Sequence, residues 1–294
     1  MLTRPRLFLG ALAAGLIPLL PAPATLAQSQ PAAVTLADAR VARSSVLLEQ
    51  WHTPAYLDIW RQQLAKAITV PPSAGKEAES RLRDDWRSAV MASYDANAML
   101  AEMRQALSQT MTLADLEAGI RFAETDVGRR IRKALEPPAV PPEDGASMAR
   151  SQAAAAALAK KPGRQSLIRD INTAMNNVEA TVAVIISFSL GSAIGATAAL
   201  PQGSPQMDPA DLVHMIEKGR PQMRAAIASY VEGRIASLFE SVANDDLETY
   251  LQELTTPAGK AYVDASNRAF EVALRKQAIT IGGAFARNMR AQQL

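Results

Sequence analysis

One short pattern occurs twice in this chain, in a single register and without a gap, 131 residues apart. The first copy reads Asp115-Leu116-Glu117, seven further residues, then Thr125-Asp126-Val127-Gly128-Arg129. The second reads Asp246-Leu247-Glu248, the same interval, then Thr256-Pro257-Ala258-Gly259-Lys260. Conserving an acid, a leucine, a threonine, a glycine and a base in register points to duplication of a structural unit. A single grafted catalytic loop would not produce it. The chain is thereby restricted to folds that hold two related pieces.

Both pieces read as helical. Met99, Met103, Leu107 and Met111 recur at i+4 ahead of the first copy. Ile227, Tyr230, Val231, Ile235, Leu238, Phe239 and Val242 mark one face of another helix ahead of the second. Breakers at Val70–Gly75, Pro137–Gly145 and Pro201–Pro205 divide the remainder into four blocks, none with a useful β alternation. The expectation is an all-α multi-helix bundle made of two related helical-hairpin units, 28–136 and 146–294, joined by a Pro-rich linker at 137–145.

The repeated residues have mechanical roles on helices. Thr112 and Asp115 fit a capping box for the helix that carries Leu116. In the second copy Ala243 stands at the cap position, so Asn244 is expected to cap one residue later, ahead of Asp246 and Leu247. Thr125 and Thr256 are natural N-caps of the following helix, with Pro257 at its first position. Gly128 and Gly259 then fall in the first turn, where the missing Cβ lets a neighbouring backbone approach. Leu247, Tyr250, Leu251 and Leu254 supply a buried stripe.

Phe122, Thr125, Gly128 and Arg129 in one copy, and Thr256, Pro257, Gly259 and Lys260 in the other, resemble the Phe-x-x-Ser/Thr-Pro-x-Gly-Lys/Arg element of a bacterial envelope family, domain of unknown function 2059. Asp126 replaces that element's Pro in the first copy, and Glu253 its Phe in the second. The resemblance covers about 30 residues around each copy and implies a helical, exported protein with no assigned catalytic residue. Trp51-His52-Thr53-Pro54-Ala55 is a fainter echo, read as another helix start.

Export is also what the N-terminus predicts. Arg4 and Arg6 precede an apolar run and Ala22-Pro23-Ala24-Thr25-Leu26-Ala27, which reads as a secretory signal peptide over residues 1–27 cleaved near Ala27. Its removal takes two of the 31 basic residues and none of the 29 acidic ones, so the mature chain is balanced at 29 of each. Such a balance gives no reason to expect nucleic acid as a partner. With no cysteine, disulfides, thiolate metal sites and a cysteine nucleophile are excluded.

Thr181–Leu200 carries no charge over 20 residues, with Ala183, Ser187, Gly191, Gly195 and Ala199 at i+4. That face suits close helix approach, and its length would also span a membrane. Seven Ser, Thr or Gly and five Ala dilute its apolar character. Lys160, Lys161, Arg164 and Arg169 precede it, the wrong side for a chain already exported. A central buried helix is the preferred reading.

His52 and His214 lie in no metal-ligand motif, and neither Asp115 with Glu117 nor Asp246 with Glu248 converges on one point from a helix. No nucleophile elbow, phosphate loop or dinucleotide fingerprint is present. No cofactor is expected. The sequence favours an exported, non-enzymatic periplasmic or secreted protein that binds a protein partner or an apolar ligand. The alternatives are an inner-membrane protein anchored by 181–200 and a carboxylate-dependent hydrolase.

Overall fold

The four blocks between the breakers resolve into twelve helices, with no strand among the described residues. In this computed structural model those residues are 35–68, 75–138, 146–200 and 209–291; the segment 1–27 read as a signal peptide, most of the Pro-rich stretch and the break at 201–205 lie outside them. The first block forms α1 (Leu36–Gln50) and α2 (Thr53–Lys66). The second forms α3 (Lys76–Ser93), α4 (Ala96–Thr110), α5 (Leu113–Glu124) and α6 (Asp126–Ala134). The third gives α7 (Ala146–Leu158), α8 (Pro162–Ala174) and α9 (Asn177–Ala199). The last gives α10 (Pro209–Leu238), α11 (Asn244–Thr255) and α12 (Pro257–Ala291).

The repeated pattern builds the same corner twice. Thr125 ends α5 and starts α6 with no intervening loop. Its amide and hydroxyl both donate to the Phe122 carbonyl, at 3.0 and 2.7 Å, and its Oγ1 accepts from the Gly128 amide at 2.9 Å. Thr256 joins α11 to α12 through the matching bonds to Glu253 and Gly259, at 3.0, 2.7 and 2.9 Å. One hydroxyl thus satisfies an orphan carbonyl behind it and an orphan amide ahead of it. A corner this tight presses the last turn of one helix onto the first turn of the next, and a Cβ on Gly128 or Gly259 would overlap the preceding helix backbone.

The capping box is present at Thr112 and Asp115, with Asp115 N–H donating to Thr112 Oγ1 at 3.2 Å. At the second copy the expectation fails. Ala243 is the N-cap of α11, without a side-chain cap, and Asn244 is the first helical residue. The Asn244 carboxamide is drawn aside to accept from Arg164. Because Ala243 is exposed and already extended (φ −64°, ψ 152°, close to Thr112 at −74°, 160°), A243T should supply the missing cap. The expected gain is about 1 kcal/mol, read as a higher urea midpoint at unchanged slope.

Two apolar cores result. The first gathers Leu47 and Leu48 of α1, Leu57 of α2, Val90 of α3, the Met99-Met103-Leu107 stripe and Leu116. The second gathers Ile131, Ile168 and Ile171, Phe239, and Leu247, Tyr250 and Leu254. Leu116 and Leu247, equivalent in the repeat, are each fully buried, worth about 1.5–3 kcal/mol apiece. Both α9 and α12 serve both cores, α9 through Val184 and Val182, α12 through Leu274 and Val263. Residues Thr35–Leu294 therefore cluster as one compact unit, and side chains from either side of the Pro-rich stretch enter each core.

Helices α9 and α12 run parallel, since Ser187 faces Glu271, Gly191 faces Arg275 and Gly195 faces Ile279. The small-residue stripe of α9 seats directly on α12, whose own Ala278 and Gly282 answer it. The sequence reading of a central buried helix holds only in part. Val182, Val184, Ser187, Gly191 and Gly195 are buried, while Ile185 and Ile194 are 37% and 48% exposed.

Candidate functional site

The residues singled out by the repeat are divided among structural tasks. Asp115 is held in its capping box, and Glu117 pairs with Arg43 at 2.6 Å. Asp246 receives a bidentate pair of 2.6 Å hydrogen bonds from Arg130, which hold its carboxyl below the usual range. That contribution is present above the ordinary carboxylate range and is lost as pH falls through the lowered value. Glu253, standing where Phe122 stands in the first copy, is half-buried, and burial pushes its carboxyl up. Neither Asp–x–Glu pair joins into a shared site. Among the described residues no group of three His, Asp or Glu side chains is placed to hold a metal ion.

What the repeat does position is an aromatic wall. Phe122 stacks on Tyr250 with centroids 6.1 Å apart; Tyr250 also stacks on Trp51 at 6.2 Å and meets the edge of Phe239 at 6.0 Å. Trp51 in turn lies 6.4 Å from Tyr262. Aromatic residues make up only 5% of the chain, so this gathering is not a composition effect.

Against the wall lies a cleft of about 290 Å³, lined by Trp51, Met175, Ile235, Leu238, Tyr250 and Tyr262. Two tight turns feed it. Trp51 is followed by His52 at φ 57°, and Met175 by Asn176 at φ 52°, the two non-glycine residues with positive φ among those described. Left-handed backbone at such residues costs about 1–3 kcal/mol and recurs where a site requires a particular side-chain placement. Asn177, beyond the second turn, donates to Asn172 at 2.9 Å, and Thr181 donates to the Asn177 carbonyl at 2.7 Å. Tyr56 closes one side by donating to the Leu135 carbonyl. Arg234 supplies the one charge in the lining.

The surroundings are dry enough to change acidity. Burial pushes the Tyr262 phenol up to about 12 and Tyr250 higher still; burial also raises Tyr56, against the pull of Arg234. Tyr94, buried in the first core with its hydroxyl donating to the Leu57 carbonyl at 2.9 Å, is raised as well. A phenol raised by folding stabilises the fold below its unfolded value near 10 and withdraws that stability as pH rises towards the folded value. Four of the five tyrosines should therefore ionise together with unfolding in an alkaline titration followed at 295 nm. Independent titration of all five near pH 10 would refute this.

Two wider hollows are less suited to a specific ligand. The larger, about 670 Å³, is polar, and its Asp58 and Arg61 face each other at 3.7 Å. The other, about 520 Å³, is lined by charges of both signs, including Glu271 and Arg275 at 3.8 Å.

Sequence reasoning reached Phe122 and Tyr250 as packing residues and noticed Trp51 only as an echo of the motif. It missed Tyr56, Met175, Arg234 and Tyr262 as parts of one cleft. No family model, curated protein or solved structure matches the chain.

Proposed function

We propose that this chain is an exported, non-enzymatic helical binding protein of the cell envelope, related to the family that its twin motif resembles, and that the aromatic cleft takes an apolar ligand. The observation that carries this reading is the cleft itself: aromatic and aliphatic walls, two left-handed turns that place them, and no carboxylate or imidazole in the lining. The duplicated unit serves this purpose by bringing Phe122 of one copy against Tyr250 of the other.

Binding of a neutral fluorophore, N-phenyl-1-naphthylamine, to the purified protein tests the proposal. Enhanced, saturable emission is expected, and V231W or L238W, each filling the cleft, should weaken it at least tenfold. Saturable binding that both substitutions leave untouched would count against the cleft. Turnover of cell-wall fragments or esters, abolished by a single carboxylate substitution, would overturn the non-enzymatic part.

A membrane-anchored reading draws on α9, the one helix among those described that is long and apolar enough to cross a bilayer, at a mean hydropathy of 1.9 with 28% of its most apolar stretch buried. Its small-residue face, however, is already occupied by α12. Release of the processed protein from washed membranes by alkaline carbonate would exclude an anchor.

A further inference from the structure

Resting on the cleft as a ligand site, we propose that its ligand is a single-chain amphiphile with an anionic head, the chain lying against the aromatic wall and the head on Arg234. Val231, Arg234, Ile235 and Leu238 form one stripe of α10, so the same helix face that lines the cleft also presents the guanidinium. Arg234 is exposed at the cleft margin, where its apolar stem covers the wall and its charged end meets solvent.

Among the described residues its guanidinium is uncommitted. On the same helix Arg220 pairs with Glu217 and Arg224 with Glu179, whereas Arg234 makes no hydrogen bond or ion pair with any described residue. The adjoining recess, which shares Tyr56, Arg234 and Leu238 with the cleft, adds Arg150 and Glu136 and so leaves the margin net positive. A planar guanidinium with free donors matches a carboxylate or phosphate head through two parallel hydrogen bonds. A cationic head would meet repulsion, and a neutral one would leave those donors to water.

Displacement of the neutral fluorophore by dodecanoate, dodecanol and dodecyltrimethylammonium, each below its micellar concentration at pH 8, tests the head. Dodecanoate should displace at a concentration at least about tenfold lower than dodecanol, as expected for a charge-assisted hydrogen bond. The cation should be weakest. Shorter carboxylates should lose about fourfold per methylene removed. R234Q should collapse the carboxylate-to-alcohol ratio towards one and R234E should invert it, while R220Q, outside the cleft, keeps it.

Equal displacement by dodecanoate and dodecanol, or a ratio that persists in R234Q, would overturn the anionic-head proposal while leaving the cleft intact. Failure of the fluorophore and all three amphiphiles to bind would overturn the cleft as well. Arg234-dependent sedimentation with phosphatidylglycerol vesicles, without binding of monomers, would mean that a membrane surface is recognised and would also sink the proposal.

Discussion

Replacing Gly195 with alanine should lower stability by about 2–4 kcal/mol, one of the two largest effects expected of any single methyl group in this protein. A Cβ there would lie 2.7 Å from the Ile279 carbonyl carbon, with the oxygen nearer still, and 3.0 Å from the Gly283 amide nitrogen. Gly282 presents the reciprocal case, its Cβ falling 2.7 Å from the Ser192 carbonyl carbon and 2.8 Å from the Ser192 Cα. Every obstructing atom is backbone, so no rotamer change relieves the overlap and α9 must lift away from α12. Overpacking of this kind costs about 1–3 kcal/mol and more where the surroundings cannot move. The helical preference of alanine over glycine offsets up to about 1 kcal/mol. G219A in α10, with nothing within 4 Å, is the control and should stabilise by about 0.5–1 kcal/mol. Because G195A already separates the helices, G195A/G282A should cost less than the two single effects combined. Additive losses in urea denaturation would mean that the glycines do not share one contact.

The close approach on α9 was legible in the sequence because Gly191 and Gly195 announce it within one helix. Its partner was not. Ala278, Gly282 and Gly283 sit in an amphipathic helix that gives no signal of which segment it will meet, and the parallel register with Ser187 opposite Glu271 is a tertiary fact. Capping shows the same division. Thr112, Thr125 and Thr256 act on amides three residues away, so spacing alone places them. Asn244 was misplaced because its carboxamide is claimed by Arg164, 80 residues earlier in the chain. The burial of α9 was overestimated for a related reason, since hydropathy averages around the helix while α12 covers one stripe. The cleft was least legible of all. Trp51 and Met175 come from two turns, Arg234 from α10 and Tyr262 from α12, and only the fold brings them together.

The second large effect is expected at the repeated glycines, where G128A and G259A should each cost about 2–4 kcal/mol. At both corners the obstructing atom is the carbonyl oxygen that already accepts from the capping threonine, Phe122 in one copy and Glu253 in the other. Behind it stands the next Cα, that of Ala123 at 2.9 Å or Leu254 at 3.0 Å from the added carbon. The corner cannot open without breaking the hydrogen bonds that define it, so relief by a small hinge is closed off. The consequences should nevertheless differ in extent. Helix α6 has nine residues and delivers Ile131 to the second core alone. Helix α12 has 35 residues, about 50 Å at the α-helical rise, and carries side chains into both cores. Amide hydrogen exchange should accordingly quicken around α5 and α6 in G128A and across both cores in G259A. Giving the first corner the proline that the second has, D126P, should leave its geometry intact, because that residue is the first of the helix and its amide has no intrahelical partner. Exchange confined to α11 in G259A would show that α12 is held by its packing against α9 rather than by the corner that starts it.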